Sequence, residues 1–194
     1  MNDSKFATVT VTFKLLAAVF GLLGTTASLG LAQSTGLTAN LGGSSQSGVP
    51  TNKYTLIKFN TIRYNTLGSG AFVSTPVDSY FIAPRTGIVH FSGQVMVVLD
   101  SSQPAVNQGS YVVKIFKNAP CSEDPKQTLI AGIGGGSFWW VQSIQIDGDD
   151  LALAGDIYRW CLYSTSTDGG WGMSYIDGNP AHTRIHISMD PSER

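Results

Sequence analysis

From Tyr54 onward, hydrophobic and polar residues alternate over short stretches, and no stretch of useful length has the 3.6-residue period of a helix. The longest run, GIVHFSGQVMVVLD, begins at Gly87. Because successive side chains of a strand point to opposite faces, one face of this run is predicted to point to the core, with Val89, Phe91, Val95, Val97 and Leu99. Similar segments are YTLIKFNTIRYN, YVVKIFKN, DIYRWCLYS and HTRIHISMD. The pattern predicts about eight to ten strands and an all-β fold, a two-sheet antiparallel sandwich of the jelly-roll type.

The stretch SYFIAPRTGIVHFSGQVMVVLD, residues 79–100, is interrupted once between two of these strands. Pro84 has a fixed φ angle and no amide donor, so a paired strand is not expected to continue through it. Gly87 permits the turn that starts the next strand. We therefore predict a strand-to-strand corner between these two residues.

Charged residues are sparse and glycine is frequent, which is typical of all-β proteins with many turns. The 194 residues include 13% charged residues and 22 glycines, and the formal net charge is −1. Without a basic stripe, the chain carries no electrostatic footprint for nucleic acid. The GxSxG nucleophile motif is missing, and glutamate occurs only at Glu123 and Glu193. The sequence therefore predicts a protein that is not an enzyme.

The N-terminal part of the chain differs from the rest. Residues 13–32 form an apolar stretch with Lys14 as the one charged residue, close to the roughly 20 residues of a bilayer-spanning helix. A signal peptide cleaved after Ala32 also fits, as does an arm that docks on other chains of a virion. Residues 34–52 are rich in Gly, Ser, Thr and Asn, which predicts a flexible linker.

The expected organisation follows from these boundaries. An apolar segment (signal, anchor or assembly arm) occupies residues 1–33, a Gly/Ser-rich linker residues 34–52, and a jelly-roll domain residues 53–194. A membrane would be contacted only through the first segment, if the mature protein keeps it.

Three segments resemble the C1q-like globular heads of the C1q/tumour necrosis factor-like superfamily. IKFNTIRYN resembles the opening strand of these heads at Phe59, Asn60, Tyr64 and Asn65. YFIAPRTGIVHFSGQV resembles their strongest signature at Phe81, Ala83, Pro84, Gly87 and Phe91. LALAGDIYRWCL resembles a later strand entry at Leu153, Gly155 and Asp156. The resemblance covers roughly residues 53–189, with Val89 where the family usually has Tyr and TRIHISM in place of the family's closing strand. It implies a ten-stranded jelly roll that forms a tight homotrimer.

Aromatic residues are the candidates for the trimer contact, because Tyr and Trp bury a large area and keep a polar group. The predicted trimer-interface residues are Tyr54, Phe59, Trp140 and Tyr158. Ordinary core packing is the alternative for each of them. We expect a non-enzymatic homotrimeric head, secreted or membrane-anchored, which is displayed at a cell or particle surface for recognition of a surface ligand, adhesion or decoration.

Two other functions fit the sequence. The first is a virion structural protein, a capsid decoration trimer or fibre head, which contacts other shell proteins through the N-terminal segment. The second is a lectin, because Trp171 and Tyr175 lie in a glycine-rich polar loop where an aromatic ring could stack on a glycan. Packing of Trp171 back on the sheet is the interpretation that we favour over the glycan contact.

One acidic segment, QIDGDDLALAGD, contains Asp147, Asp149 and Asp150. Carboxylates are the ligands that calcium prefers, but the spacing does not match an EF-hand, and Asp-Gly is a common hairpin turn. We favour the turn and keep calcium as the weaker alternative. No other cofactor is expected.

The two cysteines leave two interpretations. Cys121 lies in a polar loop and Cys161 in a strand-like run, and their spacing does not decide whether they pair. We favour two unpaired thiols, one exposed and one half-buried, over a disulfide.

Overall fold

The computed structural model describes residues 35–50, 52–99, 109–122, 128–134, 141–166 and 174–190. The predicted apolar segment over residues 1–33 lies outside these ranges. The described residues form thirteen strands and no helix: β1 (Thr35–Asn40), β2 (Gln46–Val49), β3 (Lys53–Leu56), β4 (Thr61–Asn65), β5 (Phe72–Ser74), β6 (Ser79–Ile82), β7 (Gly87–Leu99), β8 (Gly109–Lys117), β9 (Thr128–Gly134), β10 (Val141–Ala152), β11 (Ile157–Ser166), β12 (Ser174–Ile176) and β13 (Arg184–Met189). A helix able to cross a membrane is accordingly not found in the described part of the chain.

The strands form two antiparallel sheets. Sheet A has the order β2-β12-β7-β13-β1-β4, with β10 paired to the long strand β7. Sheet B has the order β5-β6-β11-β8-β9, with β3 paired to β11. The predicted all-β, two-sheet architecture is confirmed. The strands outnumber the prediction because β1 and β2 lie in the segment predicted as a linker, and because β5 and β12 have only three residues, too few to show an alternating pattern.

The core lies between the two sheets, where alternate residues of their long strands meet. Phe91 of β7 contacts Tyr158 and Trp160 of β11, with ring centroids 4.9 Å and 5.8 Å apart. Val89, Val95 and Val97, on the same face of β7 as Phe91, are also buried. Burying a side chain of this size stabilises the fold by about 1.5–3 kcal/mol, so this seam contributes a large part of the folding free energy.

The predicted linker over residues 34–52 is wrong, because most of it forms strands β1 and β2. Strand β1 lies inside sheet A and pairs on one side with β13 and on the other with β4. Leu37 and Ala39 point into the core and are fully buried. The segment TGLTAN has too few large apolar residues to reveal this alternation. Its strand conformation therefore comes from backbone pairing with partners that are distant in sequence.

The predicted Asp-Gly turn is also wrong. Asp147 and Gly148 lie in the middle of β10, where they pair with Ser92 and Phe91 of β7. The ladder between β7 and β10 runs without a break from Gly87 to Val98. Pairing along this whole length outweighs the local turn preference of two residues.

The cysteines form a disulfide, which corrects the expectation of free thiols. Cys121 and Cys161 are bonded across a sequence separation of 40 residues. Cys161 points away from the main core but is fully buried, because it packs with Phe116 and Ala119 under the segment that carries Cys121. The sequence does not show that this segment folds back onto β11.

Candidate functional site

The outer face of sheet A, the side turned away from the core, is the main candidate site. It carries alternate residues of β10, β7, β13 and β1, whose neighbours in sequence fill the core. The strand register determines which side chains lie next to each other on this face. Asp149 pairs with His90, Asp147 with Ser92, and Gln145 with Gln94, while His186 and Arg184 of β13 lie opposite Ser92 and Gln94 on the other side of β7.

A three-residue ionic cluster lies at one end of this face. His90 on β7 bonds through Nδ1 to the Asp149 carboxylate at 2.5 Å and through Nε2 to the Asp190 carboxylate at 3.0 Å. The hydrogen bonds that the His90 ring donates to the Asp190 and Asp149 carboxylates raise the pKa of His90. One imidazole thus links β7 to β10 and to the residue that follows β13, and it holds a proton more firmly than a free histidine does.

The centre of the outer face is a shallow polar depression of about 300 Å³, lined by Thr38, Ser92, Gly93, Gln94, Gln145, Arg184 and His186. Two hydrogen bonds fix its side chains: Gln145 Nε2 donates to Gln94 Oε1 at 3.0 Å, and Thr38 Oγ1 lies 3.1 Å from His186 Nδ1. Gly36 makes room for the histidine, because a Cβ at that position would lie 3.1 Å from His186 Cε1.

Exposed apolar side chains surround this polar centre. Ile88 and Leu151 are register partners at one end of the outer face and are 46% and 65% exposed. Val141, at the other end of β10, is half exposed, and so is Tyr64 on β4, the register partner of Thr38. The strands of sheet B carry no large apolar side chain of comparable exposure among the residues whose burial is described. The outer face of sheet A therefore carries most of the large exposed apolar side chains among the described residues.

Two of the four predicted trimer-interface residues belong to the core instead. Phe59 and Tyr158 are fully buried within one chain, so they have no surface to offer a neighbouring subunit. Phe59 packs edge-on against Trp160, with ring centroids 6.0 Å apart. The sequence shows that these two rings need to be buried, but it does not show which side of their chain segments faces the core.

The other two predicted interface residues have different outcomes. Tyr54 is half-buried on sheet B, where it stacks on Phe116 and Tyr163 and lies under the Lys114 ammonium group. Its role in a trimer stays a prediction. Trp140 lies outside the described residues.

The two aromatic residues of the predicted glycan contact also have different outcomes. Trp171 lies outside the described residues, and Tyr175 is half-buried on β12, paired with Val98 of β7. A glycan contact through these two rings stays a prediction.

The predicted calcium ligands do not converge. Asp149 is engaged by His90, and Asp147 lies two residues away on the same face of β10. Asp150 points to the opposite side of the strand, where it bonds to Lys117 and Tyr158. Within the described ranges, no group of three His, Cys, Asp or Glu side chains has an arrangement that could hold a metal ion. The three carboxylates therefore do not form the predicted site.

A second ionic cluster, centred on Lys117, joins the two sheets. Lys117 Nζ lies 2.8 Å from an Asp150 oxygen and 3.0 Å from an Asp156 oxygen. Burial alone would lower the pKa of Lys117, but the hydrogen bonds and charges of the two carboxylates outweigh it and raise that pKa. Burial and the neighbouring Asp150 raise the pKa of Tyr158, whose hydroxyl donates to the same Asp150 oxygen at 2.7 Å.

The second cluster also stabilises the predicted corner at Pro84, because the segment that carries Asp156 pairs with Ala83. Asp156 accepts hydrogen bonds from the Leu153 amide and the Asn118 side chain, and Asn118 in turn accepts one from the Ile157 amide. Asn118 has a φ of 54°, a conformation in which Asn is more common than most other residues. The residue type at position 118 is therefore the one signal in the sequence for its role.

The signature residues of the resemblance meet in space. The Ala83 amide donates to the Asp156 carbonyl and the Gly155 amide donates to the Ala83 carbonyl, both at 2.8 Å. Pro84 is exposed at the corner, Gly87 begins β7, and Phe81 and Phe91 both pack on Tyr158. The two motifs thus stabilise one end of the sandwich.

Solved structures share this fold. The crystal structure of murine APRIL at pH 5.0 matches 81% of this chain and 100% of its own, with a TM-score of 0.53 and 13% identity. The structure of Eiger TNF from S. frugiperda matches 83% of this chain and 98% of its own, with a TM-score of 0.50 and 15% identity. The globular domain of zebrafish complement 1qA gives a TM-score of 0.48 at 11% identity, over 83% of this chain and 100% of its own.

No protein-family model matches the chain, and a search of the curated proteins finds no match either. At these identities the structural similarity shows the fold. This chain has a jelly-roll fold like that of the APRIL and Eiger TNF structures, and the fold class that the sequence predicted is confirmed.

Proposed function

We propose that this protein is a non-enzymatic homotrimeric head whose subunits meet through the outer face of sheet A. The observation that supports the contact is the gathering of exposed apolar side chains on that sheet, above all the register partners Ile88 and Leu151. Neighbouring apolar side chains on a surface are characteristic of protein–protein contacts, because water is excluded when they are covered.

The proposal that the assembly is a trimer rests on the sequence resemblance to C1q-like heads, and the jelly-roll fold is compatible with it. A ring of three subunits uses two different surfaces of each chain and closes on itself, and the outer face of sheet A would supply one of these two surfaces. Three heads on one assembly also bind a repetitive ligand more strongly than one head does, because the second and third contacts form at a high effective concentration. This suits recognition, adhesion or decoration at a surface.

The disulfide supports an extracellular or surface-exposed location. Disulfides form and persist in oxidising compartments and are rare in the cytosol. We propose that residues 1–33 direct the head to that location as a signal or anchor. Mass spectrometry of the N-terminus of the natural protein tests this point: a start at Gln33 indicates a cleaved signal, whereas uncleaved chains in purified virions indicate the assembly arm.

Sedimentation velocity of the chain at micromolar concentration tests the trimer. We expect a trimeric species and expect the double variant Ile88→Thr with Leu151→Thr to weaken association at least about tenfold, because covering the exposed part of each apolar side chain contributes on the order of 1 kcal/mol. Threonine retains the preference for a strand. Val77→Thr is the matched control, because Val77 is 79% exposed but lies in the turn between β5 and β6. A wild-type chain that is monomeric at this concentration contradicts the proposal.

A further inference from the structure

The His90 cluster lies directly beside the apolar pair of the proposed subunit contact. His90 and Ile88 are two residues apart on the same face of β7, and their register partners Asp149 and Leu151 are two residues apart on β10. Two residues of a strand span about 6.6 Å, so a subunit that covers Ile88 and Leu151 also covers or closely approaches the cluster.

The cluster is built so that one proton changes its charge. His90 has a carboxylate on each ring nitrogen, Asp149 from β10 and Asp190 from the end of β13. The Asp190 amide donates to the Ile88 carbonyl at 3.0 Å, which fixes this carboxylate beside β7. With His90 protonated, the three side chains carry one net negative charge. With His90 neutral, they carry two.

The charged groups around the cluster do not cancel this change. Asp147 on β10 adds a further negative charge on the same face, while Arg184 and His186 on β13 lie toward the central depression, opposite Gln94 and Ser92. Arg85 donates to the Thr35 hydroxyl and the Met189 carbonyl, next to Asp190 in sequence. Ser188 is the residue of β13 directly opposite His90.

We propose that His90, held between Asp149 and Asp190, is a pH switch of subunit association, which strengthens the trimer in mildly acidic solution and weakens it above neutral pH. This inference rests on the proposed subunit contact. Covering a cluster with two net negative charges costs more desolvation free energy than covering one with a single charge. A three-fold assembly also brings three copies of the charge toward one axis, where they repel each other.

The direction follows from the protonation of His90. The geometry that raises its pKa keeps the proton at pH values where a free histidine has lost it. Association is therefore strong while His90 is protonated and weakens as pH rises through that pKa. We expect the subunit dissociation constant to rise by about tenfold, which corresponds to about 1.4 kcal/mol of added desolvation and repulsion when His90 is neutral.

Sedimentation equilibrium of the full chain between pH 5.5 and 8.5 at constant ionic strength tests the switch. We expect the wild-type dissociation constant to rise about tenfold across this range. His90→Gln keeps a polar side chain that does not titrate, and we expect weak association at every pH. The double variant Asp149→Asn with Asp190→Asn should associate strongly at every pH. His186→Gln, on the same face but outside the cluster, should keep the wild-type pH dependence.

Two results overturn the switch in distinguishable ways. If the wild-type chain and His90→Gln form trimers with the same pH dependence, the subunit contact stands and the switch is wrong. If the wild-type chain is monomeric throughout the range, the proposed trimer is wrong and the switch falls with it. An NMR titration of His90 in that monomer then shows whether the cluster alone retains the proton.

Discussion

The Lys117 ammonium group donates a 2.8 Å hydrogen bond to the Asp150 carboxylate and thereby joins β8 of sheet B to β10 of sheet A. Lys117 also neutralises Asp156, and both carboxylates are mostly buried. Removing the cation leaves two carboxylates without a partner charge in a partly dry environment, which costs more than the hydrogen bonds themselves contributed.

Lys117→Met is therefore expected to lower the free energy of unfolding by about 1–3 kcal/mol. Urea denaturation at neutral pH, followed by tryptophan fluorescence, measures this change. Lys58→Met is the control, because the Lys58 ammonium group has only a 3.0 Å hydrogen bond to the Pro76 carbonyl at an exposed site. Equal losses in the two variants would show that the cluster contributes no more than a surface lysine.

Features that depend on residues close together in the chain could be predicted from the sequence. The buried face of β7 is visible as an alternation of residues, and Val89, Phe91, Val95 and Val97 are all buried as predicted. The corner at Pro84 is visible because its chemistry is local. These two features led from the sequence to the correct fold class.

Features that depend on distant partners were missed. Strand β1 exists because β13 and β4 lie on either side of it, and nothing within TGLTAN specifies those partners. The Cys121–Cys161 bond and the His90 cluster likewise join residues 40 or more positions apart. Burial of Phe59 instead of interface exposure depends on which side of its segment faces the second sheet, which an isolated strand pattern does not determine.

Asp156 should make the stability of the fold depend on pH in the acid range. Burial alone would raise its pKa, but hydrogen bonds from Asn118, the Leu153 amide and Lys117, with the charge of Lys117, lower the pKa of Asp156 below the usual value of an aspartate. A lowered pKa means that its contribution is fully present above about pH 4 and is lost as pH falls through the folded-state pKa.

Asp156→Asn is expected to be less stable than the wild type at pH 7, with a smaller further loss between pH 4 and pH 2. Thermal unfolding followed by circular dichroism at pH 7, 5, 4, 3 and 2 measures both effects. Asp147→Asn is a suitable control, because Asp147 is an exposed residue in the middle of β10. A variant whose acid-side slope equals that of the wild type would show that Asp156 does not titrate with folding.

The disulfide should contribute to stability through the unfolded chain. Closing a loop of 40 residues removes conformational entropy from the unfolded state, and such a bond typically contributes about 2–4 kcal/mol. The double variant Cys121→Ala with Cys161→Ala is expected to lose about that amount. Urea denaturation with and without dithiothreitol provides the matched control: the reductant should destabilise the wild type and leave the double variant unchanged. A wild type with two reactive thiols in its native state would contradict the bond.

Gly93 should be the least replaceable of the described glycines of β7. It lies on the core-facing side of the strand between Phe91 and Val95, and its register partner is Ile185 of β13. A Cβ at this position would lie 2.6 Å from the Arg184 carbonyl oxygen and 3.1 Å from the Ile185 Cα. Both are backbone atoms of the neighbouring strand, so the clash cannot be relieved by rotating a side chain.

Gly93→Ala is therefore expected to destabilise the fold by about 1–3 kcal/mol, the usual cost of an added group in a closely packed region. Amide hydrogen exchange should show the loss of protection first in β13, because that strand has to move. Gly70→Ala is the matched control, since a Cβ there would have no neighbour within 4 Å. If the two variants unfold at the same urea concentration and β13 stays protected, β13 does not approach β7 as closely at Gly93 as the structure shows.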